Sequence, residues 1–375
     1  MINDLPPEVL RFIFTILGIG YFRFIGGTSH IFRELYLSTS VGADSTTTIE
    51  NVVSSVSCVE LYLQEAGTDV AQLSIILNSA ASHGRLIILE WAHQRGYSHT
   101  YSEDTSTSAA KHGQLAALIW LKDHGCPVTS EACSNAAKHG HLSILQWLRA
   151  NGCPWDEKTC TNAAEGGHFN ILQWARANRC PWDEDTCSSA AADGHLNILQ
   201  WARSYGCPWN EDTCSDAAAG GHLNILQWLR VNGYPLDEYT GTCSSAAGGG
   251  HLNILQWARA NGCPWNEWTC SRAAEGGHIN ILKWLRSNGC PWDEDTCSGA
   301  AFGGHLNILQ WARANGCPWN EETCSSAATD GHLNILQWAR ANGCPWDEMT
   351  CSSAAAGGHF SFLQWARANA CPWDE

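Results

Sequence analysis

The sequence predicts an all-α solenoid, a stack of short antiparallel helix pairs, preceded by a small helical N-terminal segment. The first observation is a ten-residue phrase, Gly-His-Leu-Asn-Ile-Leu-Gln-Trp-Ala-Arg, which starts at Gly194 and recurs with few changes to the C-terminus. The second is its spacing, which is 27 residues in seven of eight intervals and 29 in the other, between His141, His168, His195, His222, His251, His278, His305, His332 and His359. A unit this short cannot bury its own apolar face, so neighbouring units must stack.

The composition bears on partners and compartment. The formal net charge is −16, from 21 basic and 37 acidic side chains. Such a surface repels phosphate backbones, which argues against a nucleic-acid partner. No apolar run reaches the ~18 residues of a membrane span. The first residues carry Asp4 and Glu8 where a signal peptide would be basic. We therefore expect no membrane segment and a cytoplasmic or nuclear location.

Eighteen of the nineteen cysteines recur at two positions of the repeat, one before a proline in most units and one usually after a threonine. A cysteine that recurs with the repeat indicates a packing position. Equivalent positions in stacked helices lie about 8–10 Å apart, whereas the Cα atoms of a disulfide are rarely more than ~7 Å apart. We therefore expect buried packing thiols and no disulfide scaffold.

Each repeat begins with a short first helix. Asp183 stands where it can cap the free backbone N–H groups, and the acidic residues after it suit the positive end of the helix dipole. Ser188 to Ala192 are small, which lets another helix approach closely. Gly194 then suits a left-handed conformation just after the helix.

The second helix starts near Leu196 and presents a broad apolar face that includes Ile198, Leu199 and Trp201. We expect the tryptophans of this face to pack in the core rather than to stack on a carbohydrate. Asn-Gly usually closes the helix. Where Arg179 or Ala370 replaces that glycine, the preceding asparagine is predicted to take the left-handed conformation. Cys-Pro-Trp follows as the linker, because proline stops the helix.

One repeat departs from this pattern. It has Tyr234-Pro235-Leu236 where the others have Cys-Pro-Trp. A small residue has become large and a large one small, so the two side chains are predicted to share one pocket of constant volume. The same repeat has two extra residues near Tyr239-Thr240-Gly241, which predict a longer loop.

The pattern resembles the ankyrin repeat in Ala190-Ala191, Gly194-His195-Leu196, Ile198-Leu199 and Gly206. Ankyrin units have 33 residues, and the shortfall here lies in the linker, where ankyrins project a β-hairpin. We therefore expect paired helices with little or no β structure. The resemblance also implies that each repeated histidine hydrogen-bonds backbone at the turn between helices. The array is predicted to span residues 49–375, with eleven clear units from about residue 70 and one diverged unit before them.

The N-terminal residues 1–37 resemble an F-box, and the Ser- and Thr-rich residues 38–48 read as a linker. Leu5-Pro6-Pro7-Glu8 fits the opening of that family and Phe32-Arg33-Glu34-Leu35 its close, whereas Gly26 to His30 depart from its usual middle. The resemblance implies docking on a Skp-type adaptor of cullin ubiquitin ligases. The residues expected to dock are Leu5, Pro6, Glu8, Val9, Ile13, Leu17, Phe32 and Leu35.

The repeated polar residues do not predict an enzyme. Zinc needs four converging ligands, typically at close Cys-x-x-Cys spacing, whereas Cys207 and Cys214 are seven residues apart. Cys–His catalysis needs one activated pair, and here near-identical pairs recur. The Asp-Glu pairs stand at helix starts, where capping explains them better than glycosidase chemistry. No phosphate-binding loop is present in the sequence. We expect no catalytic residue, no metal and no cofactor.

Positions that vary between repeats are the candidates for partner binding, because positions that recur hold the stack. They lie on the first helix and its C-terminal end, which lines the concave face in ankyrin-like stacks. Neutral variation of a solvated face explains the same pattern, and both interpretations stay open. The candidates are Lys158, Asn162, Asp216, Trp268, Arg272, Phe302 and Met349.

These observations predict a non-catalytic protein–protein interaction module. If the F-box-like segment recruits an adaptor, the protein is the substrate-recruiting subunit of a cullin-type ubiquitin ligase. The alternative is a plain ankyrin-like binding scaffold with no link to ubiquitin.

Overall fold

The computed structural model describes residues 49–66, 69–234 and 241–372. Within those ranges all the regular structure is helical, and no strand is present. The prediction of an all-α fold built from helix pairs is therefore confirmed. The F-box-like segment, 1–37, and the linker, 38–48, lie outside the described residues.

The described residues fall into two compact units, one ending at Pro181 and the other beginning at Trp182. The described part of the first unit contains a short 3₁₀ helix, Tyr97–Thr100, and ten α-helices. These are α1 Ile49–Val52, α2 Val56–Ala66, α3 Val70–Ser82, α4 Leu86–Gln94, α5 Glu103–Lys111, α6 Leu115–Asp123, α7 Ser130–Lys138, α8 Leu142–Ala150, α9 Glu157–Glu165 and α10 Phe169–Ala177.

The second unit is built from seven helix pairs in its described part. Odd-numbered helices are the first helices of their repeats and even-numbered helices the second, as in the first unit from α3 onward. The second unit contains α11 Glu184–Ala192, α12 Leu196–Ser204, α13 Asp212–Ala219, α14 Leu223–Val231, α15 Thr242–Gly248, α16 Leu252–Ala260, α17 Glu267–Glu275, α18 Ile279–Ser287, α19 Glu294–Phe302, α20 Leu306–Ala314, α21 Glu322–Thr329, α22 Leu333–Ala341, α23 Glu348–Ala356 and α24 Phe360–Ala368.

Within each unit the first helices hold the stack together. Each packs on the first helix of the next pair more extensively than the second helices pack on one another. In α11 the side chains of Cys187, Ala190 and Ala191 are fully buried. Because these side chains are small, neighbouring first helices come close, as the sequence predicts.

The helix starts differ from the prediction in one respect. Asp183 occupies the N-cap position with extended backbone angles, φ −137° and ψ −169°, but its side chain makes no capping hydrogen bond. The backbone N–H of Thr186 bonds instead to the backbone carbonyl of Asp183, at 3.3 Å. Asn320 does cap with its side chain: its Oδ1 accepts from the backbone N–H of Glu322, at 3.1 Å.

The ends of the second helices correct a second prediction. Gly194 and Gly206 are left-handed as expected, but at the exceptional repeats Arg179 (φ 65°) and Ala370 (φ 59°) take that conformation themselves. The chain turns back so that the N–H of Cys180 reaches the carbonyl of Ala175, at 2.9 Å. This closure requires a left-handed residue just before the cysteine, whatever its type.

The repeated tryptophans pack against the core, as predicted, but they are only partly buried. Ile198, Leu199 and Ala202 are almost fully buried in α12, whereas Trp201 is half-buried. It makes an edge-to-face contact with Trp182, with ring centroids 5.8 Å apart. Since the second helices lie further apart than the first, the tryptophans pack over the core between them and keep one side towards solvent.

Candidate functional site

The structure places all seven partner-binding candidates on first helices. Lys158 and Asn162 lie on α9 in the first unit. The other five lie in the second unit, Asp216 on α13, Trp268 and Arg272 on α17, Phe302 at the end of α19 and Met349 on α23. We call the exposed side of the first helices of the second unit the first-helix face.

Three candidates expose large apolar side chains on the first-helix face. Trp268 is 61% exposed, Met349 56% and Phe302 41%. Trp268 and Met349 stand at the same repeat position, the second residue of their helices. Exposed aromatic and methionine side chains are typical anchors of protein interfaces.

A surface cavity of about 310 Å³ adjoins Trp268. It lies where α15 begins late, at Thr242, after Gly241 in the left-handed region with φ 56°. Arg272 also lines it and pairs with Glu275, with Nη1 and Oε2 2.9 Å apart. The cavity is lined by Gly241, Thr242, Cys243, Ser244, Pro264, Trp265, Asn266, Trp268, Thr269 and Arg272.

Acidic side chains gather at the N-terminal part of the same face. Burial, and then the nearby charges of Asp212 and Asp185, raise the pKa of Asp216 above its ordinary value of 3.8. The three carboxylates belong to adjacent first helices, α11 and α13. Their mutual repulsion makes this part of the face favourable for a cationic group of a partner.

The candidates in the first unit already have partners within the chain. Lys158 Nζ lies 3.5 Å from Glu131 Oε1 on the preceding first helix. A second ion pair joins the same two helices, with Lys138 Nζ 2.5 Å from Glu165 Oε1. Asn162 is half-buried. Exposed ion pairs of this kind contribute only about 0–1 kcal/mol to the free energy of unfolding. The charged groups that form them are less available to a partner than the exposed side chains of the second unit.

The repeated histidines position the first helices. The Nε2 atom of His222 lies 2.9 Å from the carbonyl of Ala192, the last residue of α11. The predicted backbone bond is thus confirmed, and the carbonyl belongs to the preceding repeat. Equivalent contacts join His141 to Lys111, His168 to Lys138, His251 to Ala219, His278 to Gly248, His332 to Phe302 and His359 to Thr329.

The cysteines are free thiols, as predicted, but they are arranged in a way that the sequence reasoning missed. Cys187 and Cys207, twenty residues apart in one repeat, are both fully buried, and Cys187 contributes to the raised pKa of Cys207. Cys207 Sγ lies 3.3 Å from the carbonyl of Asp183, to which it donates. A cysteine twenty residues away contributes in the same way to the raised pKa of Cys133, Cys243, Cys290, Cys297, Cys324 and Cys371.

The pKa is raised for Cys133, Cys207, Cys243, Cys290, Cys297, Cys324 and Cys371, and burial contributes to each rise. The pKa of Cys153 and of Cys344 is lowered, with the hydrogen bond to Cys133 or Cys324 as the largest cause. The pKa of Cys371 rises to about 12, from burial first and then from its partner Cys351. The pKa of Cys207 is raised by the hydrogen bond with Cys187 and by burial. The thiols whose pKa is raised are therefore protonated near neutral pH and are poor nucleophiles.

In six repeats an arginine from the second helix covers the linker tryptophan, which the sequence reasoning also missed. The guanidinium carbon of Arg203 lies 3.8 Å from the ring centroid of Trp209, and Nη1 donates to the carbonyl of Cys207. The signal was present as an arginine followed six residues later by tryptophan. Further pairs are Arg149/Trp155, Arg259/Trp265, Arg286/Trp292, Arg313/Trp319 and Arg340/Trp346.

The repeat that has Tyr234 in place of the linker cysteine makes the same hydrogen bond to the preceding repeat with a different side chain. Tyr234 is buried, and its hydroxyl donates to the carbonyl of Asn210, the same relative position that the cysteine thiols reach. Its ring also meets Trp209 edge to face, with centroids 5.1 Å apart. Leu236 and the predicted longer loop fall in residues 235–240, outside the described residues, so the shared pocket stays a prediction.

Comparison with known proteins supports ankyrin repeats in part of the chain. Residues 133–176 match the family "Ankyrin repeats (many copies)". The human ASB11 ankyrin repeat domain is 16% identical over 42% of this chain and 84% of its own, with a TM-score of 0.34. The maize pentatricopeptide repeat protein PPR10 is 15% identical over 98% of this chain and 67% of its own, with a TM-score of 0.35. Neither structural likeness is close enough to support a functional argument.

Two further observations concern function. No curated protein matches the sequence. Among the helices of the described ranges, none has both the length and the apolar character needed to cross a bilayer.

Proposed function

We propose that this chain is a non-catalytic protein–protein interaction module whose partner binds the first-helix face. The observation that carries the proposal is the side chain of Trp268, 61% exposed beside a cavity of about 310 Å³. A large exposed indole next to a concave surface is typical of an interface anchor that a partner covers. Because the cavity exists where α15 starts late, this feature is particular to one repeat.

The chemistry of the face favours a partner with apolar and basic side chains. Phe302 and Met349 extend the apolar anchors beyond Trp268, while Asp185, Asp212 and Asp216 provide negative charge. A cationic group beside Asp216 would offset the repulsion that raises its pKa. Charge complementarity of this kind sets the specificity and association rate of a complex more than its affinity.

The test compares two exposed aromatic residues in the same unit. Trp268→Ala removes the proposed anchor, and Phe360→Ala removes a phenyl ring that is 83% exposed but lies on a second helix. We expect proteins co-purified from native cells with the full chain to lose at least about tenfold occupancy with Trp268→Ala. We expect Phe360→Ala to leave them unchanged. Equal retention by both variants would contradict the first-helix face as the binding site.

We further propose that residues 1–37 dock on a Skp-type adaptor, so that a protein held by the array is presented to a cullin ubiquitin ligase in the cytoplasm or nucleus. The support is the F-box-like pattern of Leu5, Pro6, Glu8, Val9, Ile13, Leu17, Phe32 and Leu35. The full chain should bind a purified Skp-type adaptor, and Leu5→Ala/Pro6→Ala should weaken that binding. A full chain that fails to bind the adaptor would leave the plain binding scaffold as the function.

A further inference from the structure

The second helices of the second unit carry positive charge without negative charge. Each of the seven, from α12 to α24, has an arginine near its C-terminal end and contains no aspartate or glutamate. Among the described residues, the acidic side chains of these repeats lie in the first helices or directly beside them. A chain with a formal net charge of −16 therefore keeps one surface that is basic.

Half-buried tryptophans line the same surface between α16 and α24. Arg313 covers Trp319, with its Cζ atom 4.0 Å from the ring centroid, and Trp319 meets Trp338 on α22 edge to face, with centroids 5.9 Å apart. We call the row of these groups the tryptophan–arginine surface. Its other members are Arg259/Trp265/Trp284, Arg286/Trp292/Trp311 and Arg340/Trp346/Trp365.

A cavity of about 320 Å³ opens on this surface between α20 and α22. Arg313 donates through Nη1 to the carbonyl of Cys317, and Asn342 donates through Nδ2 to the carbonyl of Trp338. A guanidinium has five N–H donors and an amide two, so both side chains keep donors for a ligand. The lining contains no carboxylate and consists of Gln310, Arg313, Ala314, Trp319, Trp338 and Asn342.

The tryptophan rings do not form a platform for stacking. A nucleic-acid base or a sugar ring stacks on an open aromatic face, whereas Arg313 covers one face of Trp319 and the ring of Trp338 meets it at 67°. The cavity between these rings is instead a slot for a small, compact apolar group. Proline-rich peptides dock in aromatic-lined grooves of this kind in the extended polyproline II conformation.

A polyproline II peptide also matches the hydrogen-bond donors and the repeat. It has no internal hydrogen bonds, and proline lacks an N–H, so its carbonyls need donors such as those of Gln310 and Asn342. One turn takes three residues and about 9 Å, which is comparable to the roughly 8–10 Å at which helices of neighbouring repeats pack. Acidic residues of such a peptide would meet the arginines and Lys283, whose Nζ lies 5.8 Å from the ring centroid of Trp311.

We propose that the tryptophan–arginine surface binds an acidic, proline-rich peptide segment in the polyproline II conformation. Its prolines pack between the paired tryptophans, and its carboxylates lie beside the arginines. Positive charge on the surface selects acidic over basic proline-rich sequences. This site is separate from the first-helix face, because it is built from the other helix of each repeat.

The test measures the fluorescence anisotropy of a fluorescein-labelled peptide, four repeats of Pro-Pro-Asp, as the full chain is added. We expect saturable binding that weakens as the salt concentration rises. A peptide of four Pro-Pro-Lys repeats should bind at least about tenfold more weakly, because its charges oppose those of the surface. A peptide of four Gly-Gly-Asp repeats, which keeps the charge but lacks proline, should also bind more weakly.

Substitutions at exposed positions locate the site without disturbing the fold. Gln310→Glu places a negative charge in the cavity, at the position where α18 has Lys283, and should weaken binding of the acidic peptide at least about threefold. Gln310→Lys should strengthen it. Thr329→Glu adds the same negative charge at the end of the first helix α21, where α17 has Glu275, and should leave binding unchanged. Circular dichroism checks that the variants keep their helices.

Several results would overturn the proposal. One is the absence of saturable binding of the acidic peptide, and another is equal binding of either control peptide. Equal weakening by Gln310→Glu and Thr329→Glu would place the peptide elsewhere. Tighter binding of an acidic oligosaccharide or a single-stranded oligonucleotide than of the peptide would show that the rings stack on sugars or bases.

The variant that tests the first-helix face separates the two proposals. Trp268→Ala should leave binding of the acidic peptide unchanged, because Trp268 lies on the first helix α17. Weaker peptide binding by Trp268→Ala would assign the peptide to the first-helix face and overturn the second site. Loss of co-purified proteins with Trp268→Ala does not bear on the peptide.

Discussion

Gly194 and Gly206 have almost the same backbone conformation, with φ 81° and 82°, but different surroundings. A Cβ atom at Gly194 would lie 2.6 Å from Cε1 of His222, whereas no atom lies within 4 Å of one at Gly206. The first glycine therefore makes room for the histidine that joins two repeats, and the second serves only the turn. At the residue scale, the same left-handed conformation therefore has two functions, which are to make room for a neighbouring side chain and to form a turn.

This contrast predicts the effect of alanine at the two positions. Gly206→Ala should cost about 1–2 kcal/mol of unfolding free energy, the strain of a left-handed alanine. Gly194→Ala should cost about 1–3 kcal/mol more, because the His222 ring must move and lose its contact with Ala192. Urea unfolding followed by circular dichroism measures both. Equal costs would show that the histidine is not tightly packed.

Arg179 provides the opposite prediction. It is exposed and left-handed, with φ 65°, where most repeats have glycine. Arg179→Gly should raise the unfolding free energy by about 0.5–1 kcal/mol, since relief of strain exceeds the extra chain entropy of glycine. The control is Arg95→Gly, because Arg95 has an ordinary helical conformation. Stabilisation by both variants, or by neither, would contradict the explanation.

At the scale of the helix, the first and second helices of each repeat have different structural roles. The first helices pack through small side chains such as Ala190 and Ala191, and this close approach brings acidic residues of adjacent helices together on the exposed side. The second helices stand further apart, and arginine–tryptophan contacts such as Arg203 on Trp209 occupy the intervening surface. The first helices therefore carry the surface that varies between repeats, which is a proposed binding surface, while the second helices carry a repeated one.

The acidic cluster leads to a prediction about pH. Burial and the charges of Asp212 and Asp185 raise the folded-state pKa of Asp216, so folding favours its protonated form. The resulting penalty on the wild type is present above the folded-state pKa and disappears as the pH falls below the ordinary value of 3.8. Asp216→Asn should stabilise the protein at pH 7 by less than about 1 kcal/mol, given solvent screening.

The measurement for this variant is a thermal unfolding series from neutral to acidic pH. The advantage of Asp216→Asn should shrink as the pH falls. Asp123→Asn is the matched control, because it lies outside this cluster on a second helix. An advantage that stays constant with pH would show that repulsion among the carboxylates is not its cause.

At the scale of the whole molecule, each repeat is stabilised mainly by its neighbours, so an irregular repeat is a local weak point. The repeat that contains α15 has the shortest first helix of the second unit, seven residues with glycine at its C-terminal end. It also begins after Gly241, and Tyr234 replaces the linker cysteine. The same irregularity that opens the cavity beside Trp268 is therefore expected to lower local stability.

Hydrogen exchange tests this expectation. Backbone amides of Thr242–Gly248 should exchange faster than those of α17 and α19, because fewer neighbours hold α15 closed. Mass spectrometry of peptic peptides from the intact chain resolves these helices. Slower exchange in α15 than in α17 would contradict the assignment of the weak point.

The sequence by itself determined the helix pairs, their length and the packing of small first helices, because these depend on residues within one or two turns of each other. It was wrong about capping by the Asp183 carboxylate and about the asparagine ends, because backbone hydrogen bonds decide those. It predicted that the tryptophans pack on the core but not that they stay partly exposed, which the spacing of the second helices decides. Only the tertiary structure brought Cys207 to the carbonyl of Asp183 and His222 to the carbonyl of Ala192. These partners are far apart in the sequence, and a local pattern repeated in every unit does not specify which copy a side chain will meet.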